Sequence, residues 1–256
     1  MKTVFIAAMA MLAGAAAAEQ YAPTSDYTPR DILGWTVLVN NGLTAEHSEV
    51  AEKVLALLES QLYQITRAVP EAALLHLQKH KIWVEYKDKN FPCMCYHPSA
   101  EWLRKNGYNP EKATGVEICG SEKFLAWTKD QPWMVLHELA HGYHHTVVGH
   151  DHAELRRAFA AAKEKGVYDN VLHINGQTRK AYAMNNIEEY FAETAEAFFG
   201  ANDFYPFVRA ELKHVDPEIY ALHERLWRSP PVQDKEPDEE PGAKPDEEPI
   251  AAKDEG

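Results

Sequence analysis

Two histidines four residues apart with a glutamate beside the first, His137-Glu138-Leu139-Ala140-His141, constrain this chain more than any other stretch. The surrounding run Pro132-Trp133-Met134-Val135-Leu136 is apolar, Asp130 can cap a helix start, and Pro132 suits a first turn. Residues four apart on a helix share a face, so both imidazoles can address one ion. The set matches what hydrolytic zinc chemistry needs: two neutral nitrogen ligands, an adjacent carboxylate base and an open coordination position. Five-residue matches of this kind also arise by chance on ordinary helices. Here the capped apolar helix start, and a short strand read at Gly115-Val116-Glu117-Ile118 just before it, favour the metal site. A third ligand must come from elsewhere.

The sequence begins with Met1-Lys2-Thr3, continues with an apolar run from Val4 to Ala13, and offers small residues at Ala16-Ala17-Ala18. Residues 1–18 therefore read as a cleaved signal peptide, too short for a membrane span, and the chain is expected to be secreted or periplasmic. No later segment is apolar enough to cross a membrane, so an integral membrane protein is not expected. The formal charge of −13 argues against a nucleic-acid or anionic-membrane partner. Three cysteines in an exported chain suggest one disulfide and one free thiol, with Cys119 pairing with Cys93 or Cys95. A three-thiolate metal site is the weaker alternative, since no fourth ligand is evident nearby.

Residues 19–33 read as a flexible lead-in and 34–228 as the folded domain. A strand is expected at Gly34–Asn40, a turn at Asn40-Asn41-Gly42, and then a helix opened by Thr44. The helix carries Val50, Val54, Leu57, Leu58, Leu62 and Ile65 at helical spacing. A second strand fits Ile82–Tyr86 and a third Val116–Cys119; Val116, Glu117 and Ile118 could seat an extended substrate if they lie at a sheet edge. His144, His145, His150 and His152 read as surface residues near the end of the His137 helix, which Gly149 stops. Ala153 to Lys165 is a helix ended by Gly166, and two helices around 205–212 and 217–227 pack their aromatics inward. Residues 229–256 repeat acidic, proline-rich sequence and are expected to remain disordered. The elements together give an α+β class, a small twisted sheet with an active-site helix and a C-terminal helical part.

The third ligand is sought on a helix capped by Asn185, with Glu188 closing a capping box. Ile187, Phe191, Thr194, Ala195 and Phe198 form its apolar stripe, and Glu189, Glu193 and Glu196 share the opposite face. A merely solvated face is the bland alternative. The zinc helix needs one more ligand, and Glu189 is the candidate; Glu193, one turn on, could accept a hydrogen bond from a zinc-bound histidine.

With Tyr182 ahead of Glu189-Tyr190-Phe191-Ala192-Glu193, and His137-Glu138-Leu139-Ala140-His141 before both, the chain resembles the catalytic domain of the anthrax lethal factor-like zinc metallopeptidases, a glutamate-ligand branch of the zincin superfamily. The resemblance covers about residues 115–200 and implies a zincin-like fold. It implies one Zn²⁺ per chain on His137, His141 and Glu189, Glu138 as base, and Tyr182 as the group stabilising a developing oxyanion. Ala140 and Tyr190 depart from the family's best-known member, and the toxin's accessory domains have no counterpart. The function this implies is hydrolysis of a peptide or protein substrate. The rival readings are a catalytically silent zinc-binding module of the same fold and a cell-envelope interaction protein working through its acidic tail.

Overall fold

The computed structural model describes residues 21–88, 90, 91, 93–230, 250 and 251. The signal-peptide expectation and most of the acidic tail fall outside these residues. The chain runs through β1 (Tyr27–Ile32), β2 (Trp35–Asn40), α1 (Asn41–Glu46), α2 (Ser48–Ala68), α3 (Glu71–Leu77), β3 (Ile82–Val84) and β4 (Met94–Tyr96). It continues through α4 (Ala100–Lys105), β5 (Val116–Ile118), α5 (Ser121–Trp127), α6 (Met134–Tyr143) and α7 (Ala153–Lys165). Then follow β6 (Val171–Leu172), β7 (Thr178–Arg179), α8 (Ile187–Phe199), α9 (Arg209–Val215), α10 (Pro217–Leu226) and β8 (Ile250–Ala251). The class is α+β.

The main sheet is mixed, in the order β1-β2-β3-β5-β4-β8; β2, β3 and β5 run parallel, while β1, β4 and β8 are each antiparallel to their neighbours. Alternation of side chains decides what each face meets. Val37, Val39, Ile82, Val84, Met94, Tyr96, Val116 and Ile118 turn to the helices and join the main core. Leu38, Trp83, Cys95 and Glu117, the alternate positions, are buried on the other face, where Leu38 and Trp83 pack with Tyr27.

Four expectations are corrected by the fold. Residues 27–32 are no lead-in: they pair along their length with β2, although Pro29, Arg30 and Asp31 hide the strand pattern on an edge that is mostly exposed. Val116, Glu117 and Ile118 are not an edge strand, because β5 lies between β3 and β4. The expected disulfide is not formed; Cys93, Cys95 and Cys119 are buried as thiols. Cys95 Sγ lies 3.2 Å from Cys119 Sγ, within hydrogen-bonding rather than bonding distance, and Cys93 Sγ turns instead to Met134 Sδ at 3.4 Å. Within the tail, residues 250 and 251 are ordered as β8, against β4.

The second face of the sheet buries charge. Lys112 Nζ reaches Glu117 Oε1 at 2.6 Å and Glu85 Oε1 at 2.8 Å, while His97 Nε2 meets Glu117 Oε2 at 2.6 Å. Tyr27 donates its hydroxyl hydrogen to Glu85. Burial opposes ionisation of Glu117, but Lys112 and His97 outweigh it and hold the carboxyl down at about 2. Its folded value thus lies below the ordinary one of 4.5, so the stabilisation is present above pH 4.5 and is lost as pH falls through that value toward about 2. Acid unfolding of the wild type is expected to steepen in that window. Lys112→Met, which strands a buried carboxylate, should cost roughly 3–5 kcal/mol at neutral pH and flatten the acid limb, as read from urea midpoints across pH.

Candidate metal centre

α6 is buried at every position from Met134 to Tyr143, because its sequence is apolar on all sides apart from the ligand-type residues. It packs against α8, α3, α2, β4 and β5. The helix begins two residues after Pro132, and Trp133 rather than Asp130 holds the cap position. One of its free amides, that of Val135, is met by Gln61 Oε1 of α2 at 3.3 Å. At the other end the chain continues as a single π turn, His144–Val148, and leaves it at Gly149 with φ 83°. His144 and His145 are buried, not on the surface as expected. The Tyr96 hydroxyl of β4 is hydrogen-bonded to His145 Nδ1 at 2.8 Å, which ties the end of the helix to the sheet.

α8 starts one residue later than expected. Asn186, not Asn185, is the cap and accepts from the amide of Glu189 at 2.7 Å. Glu188 consequently closes no capping box and lies 3.5 Å from His150 Nδ1. The glutamate face of α8 is not solvated: Glu189, Glu193 and Glu196 are all buried against α6.

The three expected ligands converge. His137 Nε2 and His141 Nε2 are 3.0 Å apart, and Glu189 Oε2 lies 3.1 Å from the first and 3.5 Å from the second. Ligand atoms about 2.0–2.1 Å from a tetrahedral zinc are separated by roughly 3.3 Å, so this set fits the ion. The donor chemistry also fits, being two imidazoles and one carboxylate in a buried setting. Both Glu138 oxygens and His141 Nδ1 are buried without a hydrogen-bond partner among the described residues, which suits a pocket built around a further polar group.

Electrostatics separate the two imidazoles. Burial disfavours a charge on His137, yet hydrogen bonds to the carboxylates of Glu189 and Glu196 outweigh it and raise its pKa well above the ordinary value. Burial prevails at His141 and lowers it, despite the attraction of Glu189. Glu189 is held down at about 2: burial opposes its charge, and His141 and His137 more than offset that. Burial pushes the Glu138 carboxyl well above the carboxylate range, only partly countered by His137.

Glu193 is expected to accept from the far nitrogen of a zinc-bound histidine, and for His137 that nitrogen is Nδ1. Glu196 holds it, with Nδ1 donating to Oε1 at 2.7 Å, whereas Glu193 Oε1 stands at 3.7 Å and its other oxygen accepts from Asn202 at 3.3 Å. The signal was in the sequence, since Glu196 follows Glu189 by two helical turns on the same face. Tyr182 heads a 3-10 turn, Tyr182–Met184, that packs on α8 and is half-buried there.

Zinc content measured on the purified chain is expected to be a single ion per molecule, lost in Glu189→Ala. Glu196→Gln should keep the ligands but weaken zinc affinity about 10–100-fold, because the orienting carboxylate is gone. A chelator should lower the melting temperature of the wild type and leave that of Glu189→Ala nearly unmoved. Full zinc occupancy in Glu189→Ala would remove Glu189 from the ligand set.

Comparison of the chain with protein-family models, with curated proteins and with solved structures returned no match, so the functional reading rests on this geometry.

Proposed function

We propose that this chain is an exported zinc-dependent metallopeptidase with a zincin-like fold, similar to the lethal factor-like branch. The observation that carries the reading is the convergence of His137, His141 and Glu189 at 3.0–3.5 Å with the buried carboxyl of Glu138 next in sequence to the first ligand. Neighbouring features agree with it: a short mixed sheet lies over the ligand helix, and an antiparallel strand, β4, runs beside α6 between β5 and β8. No helix among the described residues is long and apolar enough to cross a membrane.

A zinc ion held by these three residues supplies Lewis acidity toward a water and toward the scissile carbonyl. The protein's own groups do the rest. Glu138, next in sequence to the first ligand and buried with it, takes a proton from the attacking water and later delivers it to the leaving amine. Glu196 fixes the ring of His137, and with it the direction in which the other nitrogen points. Tyr182 donates a hydrogen bond to the oxyanion that develops on the former carbonyl oxygen. The substrate is a peptide or protein in extended form, and residues 1–18 direct the chain out of the cytoplasm.

The test is turnover of a general protein substrate by the zinc-loaded chain. Glu138→Gln should retain zinc and lose hydrolysis almost completely. Tyr182→Phe should lower kcat by about 10²–10³ with KM little changed, as for loss of one oxyanion donor. Zinc binding with equal, negligible turnover in wild type and Glu138→Gln would instead identify a silent binding module.

A further inference from the structure

The sheet order leaves β4 as the strand that would face solvent on the side of α6, and that edge is taken. Residues 250 and 251 run antiparallel to it, Ala251 opposite Cys95 and Ile250 opposite Tyr96, and they also lie against the ligand helix. Their source is the acidic tail, joined to the domain through residues 231–249. Composition gives no reason for this segment to order by itself: it is flanked by Asp246-Glu247-Glu248-Pro249 on one side and Lys253-Asp254-Glu255 on the other. The edge of β4 orders it.

Resting on the peptidase reading, we infer that the β4 edge is the seat for an extended peptide and that the chain's own Ile250–Ala251 segment occupies it as an intramolecular competitor. Strand addition supplies the recognition, since main-chain groups of β4 pair with any extended backbone. The groups that would act on a substrate are nearly closed off, with Glu138 at 0 % and Glu189 at 3 % exposure. A strand tethered to its own acceptor edge competes at an effective concentration of roughly millimolar, so a substrate strand has to displace it.

Successive amides of a strand point to opposite sides, so one of residues 250 and 251 directs its N–H toward β4. Replacing both by proline removes that donor whichever it is, and leaves the folded domain untouched. The full chain carrying Ile250→Pro and Ala251→Pro is compared with wild type by amide hydrogen exchange and by peptide hydrolysis with zinc bound. Expected are faster exchange at Tyr96, the β4 amide that alternation turns away from β5 and toward residue 250, and a KM lower by about tenfold at unchanged kcat. A synthetic peptide of residues 244–256, added in excess, should restore the protection and inhibit the proline chain competitively. Equal exchange in the two chains overturns the occupied edge. Hydrolysis at equal KM in both, with exchange altered, overturns the competition and leaves the peptidase reading standing. Altered exchange with no hydrolysis in either chain overturns the peptidase reading, and the competition with it.

Discussion

The contact between α6 and α8 sets the terms for the rest of this molecule. Two imidazoles and four carboxyl groups, those of Glu138, Glu189, Glu193 and Glu196, are withdrawn from water within two adjacent helices. Isolated, each would cost several kcal/mol to bury, so they have to satisfy one another or share a cation. The upward shift of His137 and the downward shift of Glu189 are two sides of one interaction. A divalent ion at the convergence point relieves the same excess of negative charge.

Around that pair the C-terminal helices act as a clamp. Tyr143 stacks on Trp227 with ring centres 4.2 Å apart and donates to the carbonyl of Leu226 at 2.7 Å. Tyr190 of α8 donates to Asp216 at 2.7 Å, and the same carboxylate caps α10 through the amide of Ile219. Thr194 and His223 join α8 to α10 at 2.9 Å. Trp133 lies over the end of α8 so closely that a Cβ on Gly200 would stand 1.8 Å from its ring. The small residue at that point lets the start of one ligand helix lie on the end of the other.

Much of this was legible in the residues. The ligand spacing, the β-branched and aromatic runs of β2 and β3, the long apolar stripe of α2 and the glycine stop after α7 are local patterns, and local patterns survive folding. What the sequence hid was set by partners far along the chain. β1 carries Pro29, Arg30 and Asp31 because only one of its sides meets the sheet, which removes the alternation that would reveal it. β5 was misplaced at the edge because strand order is a tertiary choice: the later strand inserted between β3 and β4. Spacing does not separate Glu196 from Glu193, since one helical turn and two turns serve equally well, and only the azimuth of His137 decides between them. Cysteine spacing likewise fixes proximity, not oxidation.

A helix enclosed on every side has a kinetic property that its geometry does not announce. Local fraying, which lets most metal sites breathe, needs a helix end exposed to water, and α6 has neither: Gln61 meets one end, and the other passes into the buried π turn held by Tyr96. Opening of the ligand helix is thereby coupled to opening of the core, and belongs to the slowest class of fluctuations in the molecule. An ion held at this centre would then leave at a rate set by that opening rather than by the strength of three coordinate bonds alone.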